Sequence, residues 1–191
     1  FYHSVDNAGN TEQENKVIIL IDTQAPEIVS LNSLAPNRLK PLVISFAATD
    51  GLSGVKSLVV SLDGKVIPNP YGEEKNMLTA GEHLISVEAF DHAGNVQRRE
   101  FNLIVEASVE NLKELFEEGY RTGEIKKHGT LTSLCSQEKV IQTHLQKGNM
   151  KQAIEALQRM KEKIHKNKDI SSAFREFLIH EIEWLIENIK R

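Results

Sequence analysis

The sequence predicts a multidomain protein, in which an all-β, immunoglobulin-like β-sandwich is followed by a small antiparallel bundle of three to four helices. Three observations lead to this prediction. Short alternating apolar runs separated by turn residues fill residues 1–106. Residues 107–191 contain no proline, and their apolar residues recur at helical spacing. The third observation is an internal repeat, which sets the domain boundaries.

The repeat is a short phrase that occurs twice. Ser4-Val-Asp-Asn-Ala-Gly-Asn10 returns as Ala89-Phe-Asp-His-Ala-Gly-Asn95, 85 residues later, and an apolar run follows each copy, Val17 to Ile21 and Phe101 to Val105. A repeat of this length fits one β-sandwich domain. We therefore predict three units: residues 1–24 as the terminal hairpin of a truncated preceding module, 25–106 as a sandwich, and 107–191 as the bundle.

A lone two-stranded hairpin is marginally stable in water. We therefore expect residues 1–24 to pack on the sandwich or to pair with the exposed edge of another chain.

The strands of the sandwich are predicted from their alternation and from the turns that bound them. Asp63-Gly64 is the strongest hairpin signal, because both central residues of a type I′ turn need positive φ. The other predicted strands are Glu27–Leu31, Leu42–Ala48, Val55–Leu62, a weak strand near Met77 after a bend at Pro68-Asn-Pro70, His83–Phe90 and Gln97–Val105.

The repeated Asp-x-Ala-Gly-Asn phrase has two explanations. Gly94 can adopt a left-handed conformation and Asp91 can accept hydrogen bonds from the backbone of its own turn, which is a purely structural role. The alternative is a Ca²⁺ site. In a sandwich the B–C and F–G loops lie at one end beside the incoming linker, and here these segments carry Asp22, Glu27, Asp50 and Asp91. Against calcium, these carboxylates come from separate loops and lack EF-hand spacing.

Four helices are predicted from the periodicity of the last part of the chain. Ser108 is the expected N-cap of the first helix, and Gly123 ends it. A second helix runs from about Thr130 to Lys147, a third carries the apolar stripe from Met150 to Ile164, and Ser171 or Ser172 caps a fourth that reaches Ile189. The short loops favour antiparallel neighbours.

Both parts of the chain resemble known families. Asp22-Thr-Gln-Ala-Pro-Glu27, Ala48-Thr-Asp-Gly-Leu-Ser-Gly-Val55 and the stretch from Ala80 to Asn95 resemble bacterial Ig-like repeats of secreted and cell-surface proteins, over residues 1–106. Ser108-Val-Glu-Asn-Leu-Lys-Glu-Leu115, Gly123-Glu-Ile125 and the stretch from Leu145 to Ala153 resemble the FIMAH domain, over residues 107–191. These resemblances imply a non-catalytic accessory region at the C-terminus of a secreted Gram-positive hydrolase, extracellular or attached to the cell wall.

No catalytic site is predicted. His180-Glu181-Ile-Glu-Trp184 begins like the zinc-peptidase signature His-Glu-x-x-His, but Trp184 replaces the second His, so one metal ligand is missing. Cys135, the only cysteine, lies on a predicted apolar stripe where a thiol is inert. We expect no enzyme active site, and no cofactor apart from the calcium alternative.

The charge of the chain argues against nucleic-acid binding, and its hydropathy argues against a transmembrane helix. Residues 1–106 carry 8 Lys+Arg against 14 Asp+Glu, and residues 107–191 carry 15 against 13, so neither half has the basic excess of a nucleic-acid-binding protein. No run approaches the roughly 18 apolar residues that a transmembrane helix needs.

Two functional hypotheses remain. The first is a spacer that contacts only other domains of the parent protein. The second is a binding module whose bundle recognises cell-wall or substrate polysaccharide, or a protein partner. Trp184 lies near Phe177 at the margin of the last apolar stripe. An exposed patch formed by these two residues would favour the binding module, and a packed Trp184 would favour the spacer.

Overall fold

The computed structural model describes residues 1–32, 34, 42–73 and 78–189, and in these residues strands precede helices, as predicted. The strands are β1 (Glu27–Ser30), β2 (Leu42–Ile44), β3 (Phe46–Thr49), β4 (Val55–Leu62), β5 (Lys65–Ile67), β6 (Tyr71–Glu73), β7 (Gly81–Asp91) and β8 (Val96–Val105). The helices are α1 (Val109–Arg121), α2 (His128–Gln146), α3 (Met150–Lys166) and α4 (Ser172–Ile189).

The strands form antiparallel sheets that share one core. A four-stranded sheet has the order β5-β4-β7-β8, and two short sheets pair β1 with β3 and β2 with β6. Asp63 and Gly64 have φ of 50° and 78°, which confirms the predicted turn between β4 and β5. Side chains from all three sheets pack together, which makes the unit a sandwich; its buried apolar residues are Ile28, Leu42, Ile44, Phe46, Val60, Leu62, Ile85, Val87, Ala89, Leu103 and Val105.

The predicted strand Leu42–Ala48 is wrong in one respect, because the structure divides it at Ser45. The Ser45 N–H donates to Asn32 Oδ1 at 2.9 Å, and the Phe46 N–H donates to Asn69 Oδ1 at 3.0 Å. These side chains take the place of a neighbouring strand, so the chain leaves one sheet and enters the other. The weak strand predicted near Met77 lies outside the described residues, and β6 was not predicted.

The helical unit agrees closely with its periodicity. Ser108 caps α1, where its Oγ accepts a hydrogen bond from the Asn111 N–H at 3.2 Å. Helix α2 begins at His128, two residues before the predicted start near Thr130. Met150 is 48% exposed rather than buried, because it begins α3 before the apolar stripe reaches the core. Among the described residues, none of the helices combines the length and the apolar character of a membrane span.

Residues 1–21 are exposed along almost their whole length. Two isolated bridges, Tyr2 with Asn15 and Val5 with Thr11, hold them as a short hairpin. The side chains from Val17 to Ile21 are 59% to 78% exposed. Residues 1–21 therefore do not pack on the sandwich as predicted, whereas Asp22 and Gln24 are hydrogen-bonded to it. Pairing with another chain stays a prediction.

Candidate functional site

Three of the four predicted calcium ligands meet at one end of the sandwich. Asp22, Asp50 and Asp91 each place a carboxylate oxygen within 4.8 Å of the other two. Glu27 is not part of this group; it is exposed at the start of β1, where it pairs with Thr49. The side chains of a strand alternate between its two faces, so burying Ile28 turns Glu27 outward.

Asp91 organises the turn between β7 and β8. Its side chain is 1% exposed and accepts hydrogen bonds from the Gly94 N–H at 2.6 Å, the Asn95 N–H at 2.7 Å and Asn95 Nδ2 at 2.7 Å. Burial and the nearby Asp22 charge raise the pKa of Asp91, but these hydrogen bonds outweigh them, so the pKa lies below its ordinary value. The structural explanation of the repeated phrase is confirmed.

The same end of the sandwich holds the incoming linker, which is the segment of residues 22–26 that leads into β1. Asn95 Nδ2 donates to the carbonyl oxygens of Asp22 and Gln24, at 3.2 Å and 3.1 Å. The Asp22 carboxylate accepts from the Ser53 N–H at 2.9 Å, and hydrogen bonds from Ser53 and Gln24 keep the pKa of Asp22 below its ordinary value. Asn95 and Ser53, which sequence reasoning missed, therefore bind the linker to two loops.

The chemistry of the acidic cluster fits calcium, since carboxylate oxygens are the ligands that this ion prefers. Each carboxylate also has a role without an ion. Asp50 Oδ1, for example, accepts from the Gly54 N–H at 2.7 Å. Calcium binding by Asp22, Asp50 and Asp91 stays a prediction.

A buried hydrogen bond joins the sandwich to the bundle. Glu181 lies in α4 with 0% exposure, and its Oε1 accepts from the Ala80 N–H at 2.7 Å. Ala80 precedes β7 in the chain, but its side chain is 1% exposed and belongs to the hydrophobic core of the bundle. The two units therefore share a desolvated contact, and breaking it would leave a buried N–H without an acceptor.

His83 holds the backbone next to this contact. Its Nδ1 lies 2.7 Å from Asp63 Oδ2 and its Nε2 lies 2.8 Å from the Thr79 carbonyl oxygen. Both partners are acceptors, so a ring nitrogen that carries a proton donates to the partner it faces. Burial raises the pKa of Asp63, but hydrogen bonds from His83 and the Leu84 N–H outweigh it and leave the pKa below its ordinary value.

Glu181 was not among the predicted site residues. The signal that could have found it is a carboxylate within an apolar helical stripe, since Leu178 and Leu185 lie three positions before and four after it. Glu138 shows the same pattern in α2, is 1% exposed, and has a pKa raised by burial.

A cleft of about 430 Å³ lies beside the junction. Phe177, 7% exposed, stacks on Phe174 with ring centroids 5.9 Å apart. Trp184 is partly buried, packs against the bundle core and does not line the cleft. The cleft residues are Thr79, Glu124, Ala173, Phe174, Glu176, Phe177 and His180. Phe177 and Trp184 thus occupy different surroundings rather than one exposed patch.

Most of the helical unit is similar to a known domain. Residues 109–187 match the FIMAH domain. This match covers most of the helical unit, which is called the FIMAH-like bundle below.

A solved structure described as "Structures of Clostridium thermocellum CbhA fibronectin(III)-like modules" is similar to this chain, with 20% sequence identity and a TM-score of 0.32. The alignment covers 54% of this chain and 58% of that chain, so the present chain spans less than two thirds of its length. No curated protein matches the chain.

Cys135 of the FIMAH-like bundle is partly buried and packs against the core. Burial is the main cause that raises the pKa of its thiol, which lowers the thiolate fraction. Its position agrees with the predicted role as a small apolar residue.

Proposed function

We propose that this region is a non-catalytic accessory part of a larger secreted bacterial hydrolase, and that it acts outside the cell as a spacer and positioning module. The observation that carries the proposal is the buried hydrogen bond between Glu181 and Ala80, because it makes a fixed joint between the sandwich and the bundle. The FIMAH match supports an accessory role.

The path of the chain through the junction also supports a fixed joint. Val105 is 0% exposed in the sandwich core, and Ala107 is 8% exposed in the bundle core. Only Glu106 separates them, so there is no flexible segment rich in glycine and serine. At the other end of the sandwich, Asn95 and Ser53 bind the incoming linker. A spacer built in this way transmits orientation as well as distance.

The test is the distribution of distances between two spin labels, one at Ser57 on β4 and one at Glu155 on α3, in a Cys135→Ala background. Both positions are exposed. We expect one narrow distribution. Glu181→Met should broaden it, because the Ala80 N–H loses its acceptor at a cost of about 1–3 kcal/mol. Glu181→Gln keeps an Oε1 acceptor and should preserve the narrow distribution of distances.

A broad distribution in the unmodified protein would contradict the positioning role.

Repeating the measurement with added Ca²⁺ and then with a chelator tests the calcium alternative. An ion held by Asp22, Asp50 and Asp91 would narrow the distribution of distances measured from a spin label on the linker before β1.

The second candidate function is a binding module that recognises cell-wall or substrate polysaccharide, or a protein partner. The cleft beside Phe177 is the observation that favours it. The test is co-sedimentation of the chain with Gram-positive cell walls, chitin, cellulose and starch, beside Trp184→Ala and His180→Ala. His180 is exposed on the cleft, so its substitution leaves the core intact.

The spacer predicts no saturable pelleting with any of these polymers. Saturable pelleting that is lost in His180→Ala would instead establish the binding module and locate it in the cleft. Loss in Trp184→Ala alone would locate it around Trp184, about one helical turn along α4 from His180 and outside the cleft.

A further inference from the structure

We propose that the cleft beside the junction of sandwich and bundle binds a cationic amino sugar, such as a glucosamine unit of a polysaccharide whose amine is free and protonated. This site rests on the second candidate function, the binding module, and names the chemical class of its ligand.

Three separate segments of the chain form the walls of the cleft. Phe177 lies three residues before His180 in α4 and Glu176 four residues before it, so all three share one face of the helix. Glu124 comes from the loop between α1 and α2, and Thr79 comes from the segment that precedes β7. The volume of about 430 Å³ lies within the usual range of small-molecule sites.

The lining of the cleft carries more negative than positive charge. Glu124 and Glu176 bring two carboxylates to it, and His180 is the only basic residue among the described residues that line it. In the part of the chain that the structure describes, no salt bridge or hydrogen bond engages the exposed side chain of Glu176. A neutral ligand would remove these carboxylates from water without a compensating charge, whereas a cation would pair with them.

Glu124 is held in place before any ligand binds. Its Oε2 accepts a hydrogen bond from Ser171 Oγ, and its carbonyl oxygen accepts from the Ser171 N–H at 2.9 Å. Its Oε1 has no partner among the described residues and can accept from a ligand. A carboxylate that is already fixed loses little conformational entropy on binding, which favours affinity.

The polar groups of the lining favour a sugar over the side chain of a lysine. Thr79 and His180 add a hydroxyl group and an imidazole to the two carboxylates. An ammonium is the only polar group of a lysine side chain, so a bound lysine would leave most of these groups without a partner. An amino sugar carries several hydroxyl groups beside its amine and can satisfy more of them.

The apolar part of the lining is aromatic. Phe174 and Phe177 are 4% and 7% exposed, and their rings stack with centroids 5.9 Å apart. They offer a rigid apolar surface beside the polar groups, which suits the carbon-bound hydrogens of a sugar ring. An apolar lining with a few convergent polar groups is the usual composition of a small-ligand site.

The experiment compares two soluble oligosaccharides by isothermal titration calorimetry with the whole chain. One is a hexamer of glucosamine, and the other is the matched hexamer of N-acetylglucosamine, in which each amine is a neutral amide. Both are measured at a mildly acidic pH at which the free amines are protonated. The glucosamine hexamer should bind saturably and at least about tenfold more tightly, since a charge-assisted hydrogen bond is stronger than a neutral one.

Glu176→Gln removes one charge and keeps the size of the side chain, and its exposed position leaves the fold intact. It should weaken binding of the glucosamine hexamer about tenfold and change binding of the N-acetylated hexamer less than about threefold. The matched control is Glu155→Gln, an exposed carboxylate on α3 outside the cleft. It should leave both affinities unchanged, and it accounts for the general attraction between a polycation and a chain of net charge −4.

Equal affinity for the two hexamers, no effect of Glu176→Gln, or an equal loss in Glu155→Gln would overturn the proposal. A lysine hexapeptide that binds as tightly as the glucosamine hexamer, and is weakened equally by Glu176→Gln, would overturn the choice of a sugar.

The binding module and its cationic ligand can fail separately. Binding of the N-acetylated hexamer that is as tight as that of the glucosamine hexamer and is lost in His180→Ala would keep the binding module and overturn the cationic ligand. No binding of either hexamer would contradict both. None of these results bears on the distances measured across the joint between Glu181 and Ala80, which test the spacer.

Discussion

Gly119→Ala is expected to destabilise the FIMAH-like bundle by about 2 kcal/mol, because helices α1 and α4 meet at this residue without room for a side chain. A Cβ at Gly119 would lie 2.3 Å from Cε1 and 2.6 Å from Cζ of Phe174. Phe174 cannot easily withdraw, since it is 4% exposed and stacks against Phe177. The gain in helix propensity from glycine to alanine, about 1 kcal/mol, is smaller than the cost of such overlap.

Denaturant unfolding followed by the fluorescence of Trp184, the only tryptophan, measures this effect in the bundle alone. The matched control is Gly129→Ala in α2, where a Cβ would meet nothing within 4 Å; it should leave stability unchanged or raise it by up to about 1 kcal/mol. Adding Phe174→Leu to Gly119→Ala should recover part of the loss. An unchanged midpoint in Gly119→Ala would contradict the close approach of the two helices.

Asp91→Ala is expected to lower the thermal midpoint of the sandwich by roughly 10 °C. The substitution removes the acceptor of two backbone N–H groups and of the Asn95 side chain in one turn, and Asn95 also holds the incoming linker. Asp6→Ala is the matched control, because it removes the same turn hydrogen bonds from the exposed hairpin. Differential scanning calorimetry should show no change in the sandwich transition for Asp6→Ala.

The pH dependence of the same variants has a defined sign. The pKa of Asp91 is lowered in the folded protein, so its ionised form contributes stability above the ordinary aspartate value of about 4, and this stability is lost as the pH falls through the folded value. Asp91→Asn keeps an oxygen acceptor but not the charge. It should therefore lose less stability than the unmodified protein as the pH falls. Equal decreases of the thermal midpoint of the sandwich in Asp91→Ala and Asp6→Ala would contradict the role assigned to Asp91 in its turn.

Elements held by interactions between close neighbours in sequence could be predicted well. The Asp63-Gly64 turn, the Ser108 cap and the Asp91 turn each depend on contacts within four residues. The break at Ser45 could not, because its partner Asn32 lies 13 residues away and Asn69 lies 23 residues from Phe46.

The residues of the candidate site could likewise be predicted only in part. The sandwich topology expected from the sequence was sufficient to bring Asp22, Asp50 and Asp91 together, because loops at one end of a sandwich are neighbours. It was not sufficient for Glu27, whose direction depends on the pairing of β1. Periodicity alone shows Glu181 on an apolar stripe, without showing that its acceptor is used by a backbone N–H 101 residues earlier.

By itself, then, the sequence determined the order of the units, the repeat and the turns, since these follow from backbone preferences and periodicity over a few residues. Only the tertiary structure decided how the units are joined. A buried carboxylate can accept a hydrogen bond from any N–H that packing brings to it, and that choice depends on how two separate cores meet at Ala80 and Glu181.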